Sequence, residues 1–151
     1  MKAVQQKWFV IVAMAFILCL TGLVISGTAF GAGGPQCEDN GDGTVTDNGS
    51  GLMWQKATAG EMEWHQAMSY ASSLSLGGHS DWGLPSKDEL KGLYNSECKK
   101  LMDVRSSDYW SSTTYSSQYS TSARRVNFNS GNVYYGAKSS SYYVRAVRAG
   151  Q

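Results

Sequence analysis

The chain has 151 residues, about one domain's worth, and loss of a short N-terminal leader would leave about 120, which excludes a large multidomain enzyme. Seventeen Gly, nine Tyr and five Trp stand beside only two Pro, and an aromatic content of 12% excludes an intrinsically disordered chain. The formal charge is +1, and without Lys2 and Lys7 it leaves 11 of 13 basic residues against 12 acidic ones, so there is no general electrostatic hold on nucleic acid or an anionic membrane.

Lys2 and Lys7 precede an apolar run from Trp8 to Ile25, and small residues follow from Ser26 to Gly34. These are the three parts of a secretory signal, so residues 1–31 are read as a signal peptide, cut after Ala29 or Gly31, and residues 32–151 as one mature domain. The same run is long enough to span a bilayer, and residues 8–25, if uncleaved, would be the chain's one membrane contact. Cys19 follows Phe16, Ile17 and Leu18 rather than small residues and belongs to the apolar run, not to a lipoprotein motif. Export to the periplasm, cell surface or medium is the expectation. Cys37 and Cys98 then form an even pair in an oxidising compartment. One disulfide tying the N-terminal segment to the end of the second helix is expected, with two free thiols as the alternative. Two His and two Cys at scattered positions provide no zinc spacing, and neither a metal nor a cofactor is expected.

In Asp39-Asn-Gly-Asp-Gly-Thr-Val-Thr-Asp47, turn residues flank the β-branched run Thr44-Val45-Thr46, and Leu52-Met53-Trp54 supplies a partner strand. A hairpin is favoured over a calcium loop, because Gly41 and Gly43 occupy ligand positions and no Glu closes the loop. Asn48-Gly49-Ser50 is a glycosylation sequon, relevant only in a eukaryotic secretory route. Thr58-Ala-Gly-Glu61 reads as a capping box opening a helix with Trp64, Ala67, Met68, Ala71 and Leu74 on one face, stopped by Gly77-Gly78. Trp82 and Leu84 pack down, and Pro85 sets the first turn of the next helix. Ser86-Lys-Asp-Glu89 is a second capping box, followed by Leu90, Leu93 and Tyr94 on one side.

From Arg105 to Tyr143 the chain holds 12 Ser and seven of the nine Tyr, with no Pro. Val126 and Phe128 alternate with Asn127 and Asn129, Asn129-Ser-Gly-Asn132 makes a turn before Val133-Tyr-Tyr135, and Tyr142 to Arg148 reads as a last strand. The order is a hairpin, two helices and several short strands, an α+β arrangement with segregated helices.

Tyr supplies large amphipathic contact area at little entropy cost, while Ser, Gly and Asn supply adaptable hydrogen bonds. On that chemistry Tyr109, Tyr115, Tyr119, Asn127, Asn129, Asn132, Tyr134 and Tyr142 are candidates for a ligand-facing surface, with Gln118 and Arg125 as polar anchors. Tyr135 and Tyr143 are assigned to core or strand pairing. Arg124, Arg125, Lys138, Arg145 and Arg148 would make a local patch for acidic glycans, the alternative being solvation or pairing with Asp103 and Asp108. His65 and His79 are read as structural or surface residues. No Gly-x-Ser-x-Gly, metal cluster or phosphate loop appears, and an enzyme is not expected.

Asp39 to Asp47 with Gly51-Leu-Met-Trp-Gln-Lys56, Gly78-His-Ser-Asp-Trp-Gly-Leu-Pro85, Tyr109-Trp-Ser-Ser-Thr113, Val126-Asn-Phe-Asn-Ser-Gly131 and Val144-Arg-Ala-Val-Arg148 together resemble the Legionella collagen-like C-terminal domain family, DUF1566. The resemblance runs through essentially the whole mature chain in order. It departs at Gly83, where the family's Trp-x-Leu-Pro motif usually carries Arg. It implies a C-type-lectin-like fold of the formylglycine-generating-enzyme type, used for extracellular binding of protein or glycan. The cysteines that such enzymes use late in the chain are lacking here. The fold also carries variable proteins of diversity-generating retroelements, whose rewritten repeats scatter Tyr, Ser, Thr and Asn among fixed packing residues. Residues 105–148 resemble such a repeat.

Overall fold

The computed structural model of the chain describes residues 35–114 and 121–150. The signal segment 1–31 therefore lies outside the described residues. Strands β1 (Cys37–Asp39), β2 (Thr44–Asp47) and β3 (Leu52–Gln55) form an antiparallel meander. The turns follow from side chains that bind their own backbone. Asp39 Oδ1 accepts from the amide of Gly41 at 3.2 Å and Asp42 Oδ1 from that of Thr44 at 3.0 Å. Gly51 adopts the left-handed φ of 70° that the β2–β3 turn requires.

Strand β4 (Ala59–Glu63) stands where the Thr58–Glu61 box predicts the start of a helix. Extended backbone wins because β4 pairs antiparallel with β8 (Ser141–Val144), Glu61 facing Tyr143. Helix α1 (Trp64–Ser73) starts later: the amide of Glu63 donates to Gln66 Oε1 at 3.1 Å and that of Trp64 to the carbonyl of Lys138 at 3.1 Å. It buries Trp64, Ala67 and Ala71, whereas Met68 stays 36% exposed. The helix ends before Gly77-Gly78, at Leu74, and the two glycines form instead a tight turn in which Leu76 and His79 exchange hydrogen bonds of 3.0 Å. Trp82 and Leu84 are buried as expected. Pro85 precedes the cap of helix α2 (Lys87–Asn95) rather than entering its first turn, and its carbonyl accepts from Ser112. The Ser86–Glu89 box forms as the sequence predicts, Glu89 amide to Ser86 Oγ at 3.2 Å and Ser86 amide to Glu89 Oε2 at 2.7 Å.

A short 3-10 helix (Glu97–Leu101) then places the fully buried Cys98 beside Cys37, and the two are disulfide-bonded with Cα atoms 5.1 Å apart. Strands β5 (Asp108–Thr114), β6 (Ser122–Asn127) and β7 (Val133–Ala137) follow. The run Tyr142–Arg148, expected as one strand, is two. β8 ends at Val144 and β9 (Val147–Ala149) pairs with β3, so two sheets result, ordered β1-β2-β3-β9 and β4-β8-β5-β6-β7. All pairings are antiparallel except β5 with β8.

The molecule is α+β. Successive residues of a strand point to opposite faces, and the five-stranded sheet uses both. Tyr109, Val126 and Phe128 pack with Leu90 and Leu93 of α2 and with Val45, Trp54 and Val147 of the smaller sheet. Trp110, Ala123 and Val144 pack with Trp64, Ala67 and Ala71 of α1 and with Trp82 and Leu84.

Candidate functional site

The β6–β7 hairpin builds the candidate surface. Asn127 Oδ1 accepts from the amides of Asn129 and Ser130, both at 3.0 Å, and Gly131 takes φ 72°, which turns the chain within a few residues. The resulting register sets Arg125 opposite Tyr134 on β7 and opposite Trp110 on β5. Its guanidinium is ion-paired with Asp108 and lies 5.2 Å from the Tyr134 ring centre and 4.8 Å from that of Tyr142. Nε donates to the carbonyl of Tyr135 at 3.2 Å. Asn127 Nδ2 holds the other oxygen of Asp108 at 3.2 Å, and Asn132 Nδ2 donates to the Tyr134 hydroxyl at 3.2 Å. Tyr142 is fixed edge-on to Trp110, ring centres 4.7 Å apart, over Gly136, where a Cβ would stand 2.7 Å from the Tyr142 ring. Arg125, Asn127, Asn132, Tyr134 and Tyr142 thus come together around one charge pair. This arrangement offers aromatic rims, amide donors and acceptors, and a charge already neutralised by its own partner.

One expectation changes. Tyr109 is fully buried: its hydroxyl accepts from the Arg105 amide at 2.8 Å and lies 2.8 Å from Thr58 Oγ1, and its ring packs on Phe128 and Tyr143, so it is a core residue and not ligand-facing. Tyr135, assigned to core or strand pairing, is strand-paired opposite Arg124 on β6 and stays 45% exposed beneath the Arg124 guanidinium at 3.7 Å. Asn129 stands exposed at the turn, its backbone but not its side chain held by Asn127. Tyr115, Gln118 and Tyr119 lie outside the described residues. Asp108, named from the sequence as a pairing partner for the basic residues, does pair with Arg125, which makes it a member of the site. Only the β5–β6 register, which places it opposite Asn127, brings it there.

The five basic residues do not form one patch. Arg145 is 1% exposed and its guanidinium donates to the carbonyls of Gln55, Lys56 and Asp103 and to Thr58 Oγ1. Burial pulls its pKa below the ordinary arginine value, which the nearby Tyr109 hydroxyl partly opposes. Arg148 pairs bidentately with Asp81 at 2.7 and 3.0 Å, which raises the arginine and holds the carboxyl below the usual range. Lys138 sits 4.3 Å from the Trp64 ring centre. At Gly83, the departure from the motif, the backbone exchanges two 2.9 Å hydrogen bonds with Val147 and a side chain would meet open space.

Among the described residues no group of three or more His, Cys, Asp or Glu is placed to hold a metal ion, and no helix is long and apolar enough to cross a membrane. Fold and surface together define a small, disulfide-tied α+β domain of two sheets with an arginine-centred, tyrosine-rimmed patch on its larger sheet. The model of the Lcl C-terminal domain matches residues 43–148, and the chain belongs to that family. Membership points to an extracellular-type domain. No curated protein matches the chain.

Proposed function

We propose that the protein is an exported, non-catalytic ligand-binding domain of C-type-lectin-like fold that presents its Tyr/Ser/Asn-rich C-terminal half to an extracellular protein or glycan. The observation that carries this reading is the cluster of Arg125 with Tyr134, Tyr142, Asn127 and Asn132. Tyrosine and arginine anchors surrounded by adaptable amides are the composition of binding surfaces. The basic leader and apolar run support export.

The composition of residues 105–148 supports a retroelement-diversified receptor. A second reading, a fixed adhesin-type module, is favoured at one position. Asn127 holds both the turn and Asp108, so its side chain is committed within the fold. Sequencing codons 105 to 143 across many cells of one lineage separates the two. Substitutions clustered at adenines support diversification, and an invariant gene supports the fixed module. Glycan and extracellular-protein array binding by the wild type, lost in Tyr134→Ala, tests the shared part of the proposal. Binding that survives removal of both Tyr134 and Arg125 would overturn it.

A further inference from the structure

The Arg125 surface holds a cation and does not present it. The guanidinium pairs through Nη1 with Asp108 Oδ2, its Nε donates to the Tyr135 carbonyl at 3.2 Å, and the Tyr134 and Tyr142 ring centres stand 5.2 and 4.8 Å from it. Asp108 is held at its second oxygen as well, by Asn127 Nδ2 at 3.2 Å, and the turn amides of Asn129 and Ser130 fix that asparagine in place. The paired side chains are only 21% and 18% exposed. An anion that reached Arg125 would meet the Asp108 carboxylate at a similar distance, so attraction and repulsion largely cancel. Displacing Asp108 instead would leave a partly buried carboxylate without its cation, which is costly.

The other basic residues do not make up for this. Arg124 faces the opposite side of the sheet, over Tyr135, because successive strand residues alternate. Arg145 is buried, Arg148 is paired with Asp81, and Lys138 lies over the Trp64 ring.

What remains for a ligand is uncharged. Asn132 Nδ2 donates to the Tyr134 hydroxyl at 3.2 Å, which leaves that hydroxyl's proton and, among the described residues, Asn132 Oδ1 for a ligand's own hydroxyls. Tyr134 exposes its ring, whereas Tyr135 faces the other side. One exposed ring among amides and hydroxyls lacks the apolar core on which a protein interface of about 800 Å² per partner is built. It matches the ring-and-hydroxyl surface of a sugar.

We propose that this surface selects an uncharged glycan and that Asp108 sets the selectivity, by neutralising Arg125 and turning sulfated or carboxylated glycans away. The proposal rests on the ligand-binding reading above and narrows it to one charge class.

The test is an array of uncharged oligosaccharides beside their sulfated counterparts, probed with the wild type and Asp108→Asn in about 0.05 and about 0.5 M NaCl. Asparagine keeps the shape of the carboxylate and an acceptor for Asn127 Nδ2 while removing the charge. The wild type should bind uncharged members at least about tenfold more tightly than sulfated ones, with less than about a twofold change between the two salts. Asp108→Asn should raise the sulfated-to-uncharged affinity ratio at least about tenfold at low salt, and high salt should erase most of that gain. Adding Arg125→Gln should remove the gain, which locates it at the guanidinium. A wild type that prefers sulfated members, or a ratio unmoved in Asp108→Asn, would overturn the proposal, and the wild-type comparison decides it even if the variant does not fold. A wild type that binds no glycan but binds extracellular proteins through Tyr134 would overturn the proposal and leave the ligand-binding reading standing. No binding to glycan or protein would remove both.

Discussion

Arg145 Nη1 donates to the carbonyl of Lys56 at 2.6 Å, joining residues 89 positions apart. The same guanidinium also satisfies Gln55, Asp103 and Thr58, so one side chain holds the end of β3, the approach to β5 and the crossover between β8 and β9. Arg145→Met should therefore cost about 3 kcal/mol or more, because several buried acceptors lose their donor at once. Arg145→Lys should rescue little of it, since a point ammonium cannot serve the same fork. Urea unfolding checks both. A loss under about 1 kcal/mol for the methionine variant would contradict this role.

The Cys37–Cys98 bridge closes 61 positions of chain. The chain-entropy model assigns about 4 kcal/mol to a loop of that length. Cys37→Ser with Cys98→Ser should lower stability by that order, and so should a reductant. Unchanged melting of the oxidised and reduced protein would remove the bridge from the stabilising set.

Two glycines should respond in opposite directions. Gly131 combines φ 72° with a Cβ position only 2.7 Å from Tyr94 Cδ1, so Gly131→Ala should destabilise by about 1–3 kcal/mol. Gly92 has ordinary helical surroundings and open space, and Gly92→Ala should stabilise by about 0.5–1 kcal/mol. Chemical denaturation of the two variants side by side decides it.

Acid should unfold the protein through its paired carboxylates. A hydrogen bond from Arg148 holds Asp81, and one from Lys56 holds Asp39, below the ordinary carboxylate range. A folded-state pKa below the unfolded one means that this stability is fully present above the unfolded value, about 3.9, and is lost as pH falls through the folded value. Thermal melts should be level above about pH 5 and fall below about pH 4. Asp81→Asn should flatten the acid limb, and an unaltered limb would dismiss the Arg148 pair as its source.

On the candidate surface the two anchors should separate. Tyr134 is 43% exposed and its replacement by alanine should change stability by less than about 0.5 kcal/mol. Arg125 fills a partly buried ion pair between two rings, and Arg125→Ala should cost about 1–2 kcal/mol. Parallel melts and array binding distinguish a contact residue from one that shapes the surface.

Local chemistry made much of this legible. Asp and Gly turns around Thr44–Thr46 specify the hairpin, and the Ser86–Glu89 box specifies helix α2, because each signal is complete within a few residues. The Cys pair is readable once Cys19 is assigned to the apolar run, which leaves two of the three cysteines. Of the candidate surface, the amides and tyrosines are visible in the sequence as a composition, and four of them (Asn127, Asn132, Tyr134 and Tyr142) do converge on Arg125. Tyr109 was not separable from them, since what buries it is Phe128, Thr58 and the Arg105 amide, all met across the fold. Likewise nothing local in Thr58–Glu61 opposes a helix. β8, about 80 positions later, supplies the pairing that makes it a strand. The run Tyr142–Arg148 has unbroken strand character, and it divides where Arg145 buries its guanidinium and Ala146 exchanges hydrogen bonds with Gln55. The β2 hairpin turns, the Ser86–Glu89 cap and the cysteine pair were fixed by chemistry between near neighbours or by number. Strand partners, the sheet crossover and the exposure of each tyrosine were decided by contacts between distant residues, which exist only once the chain has closed on itself.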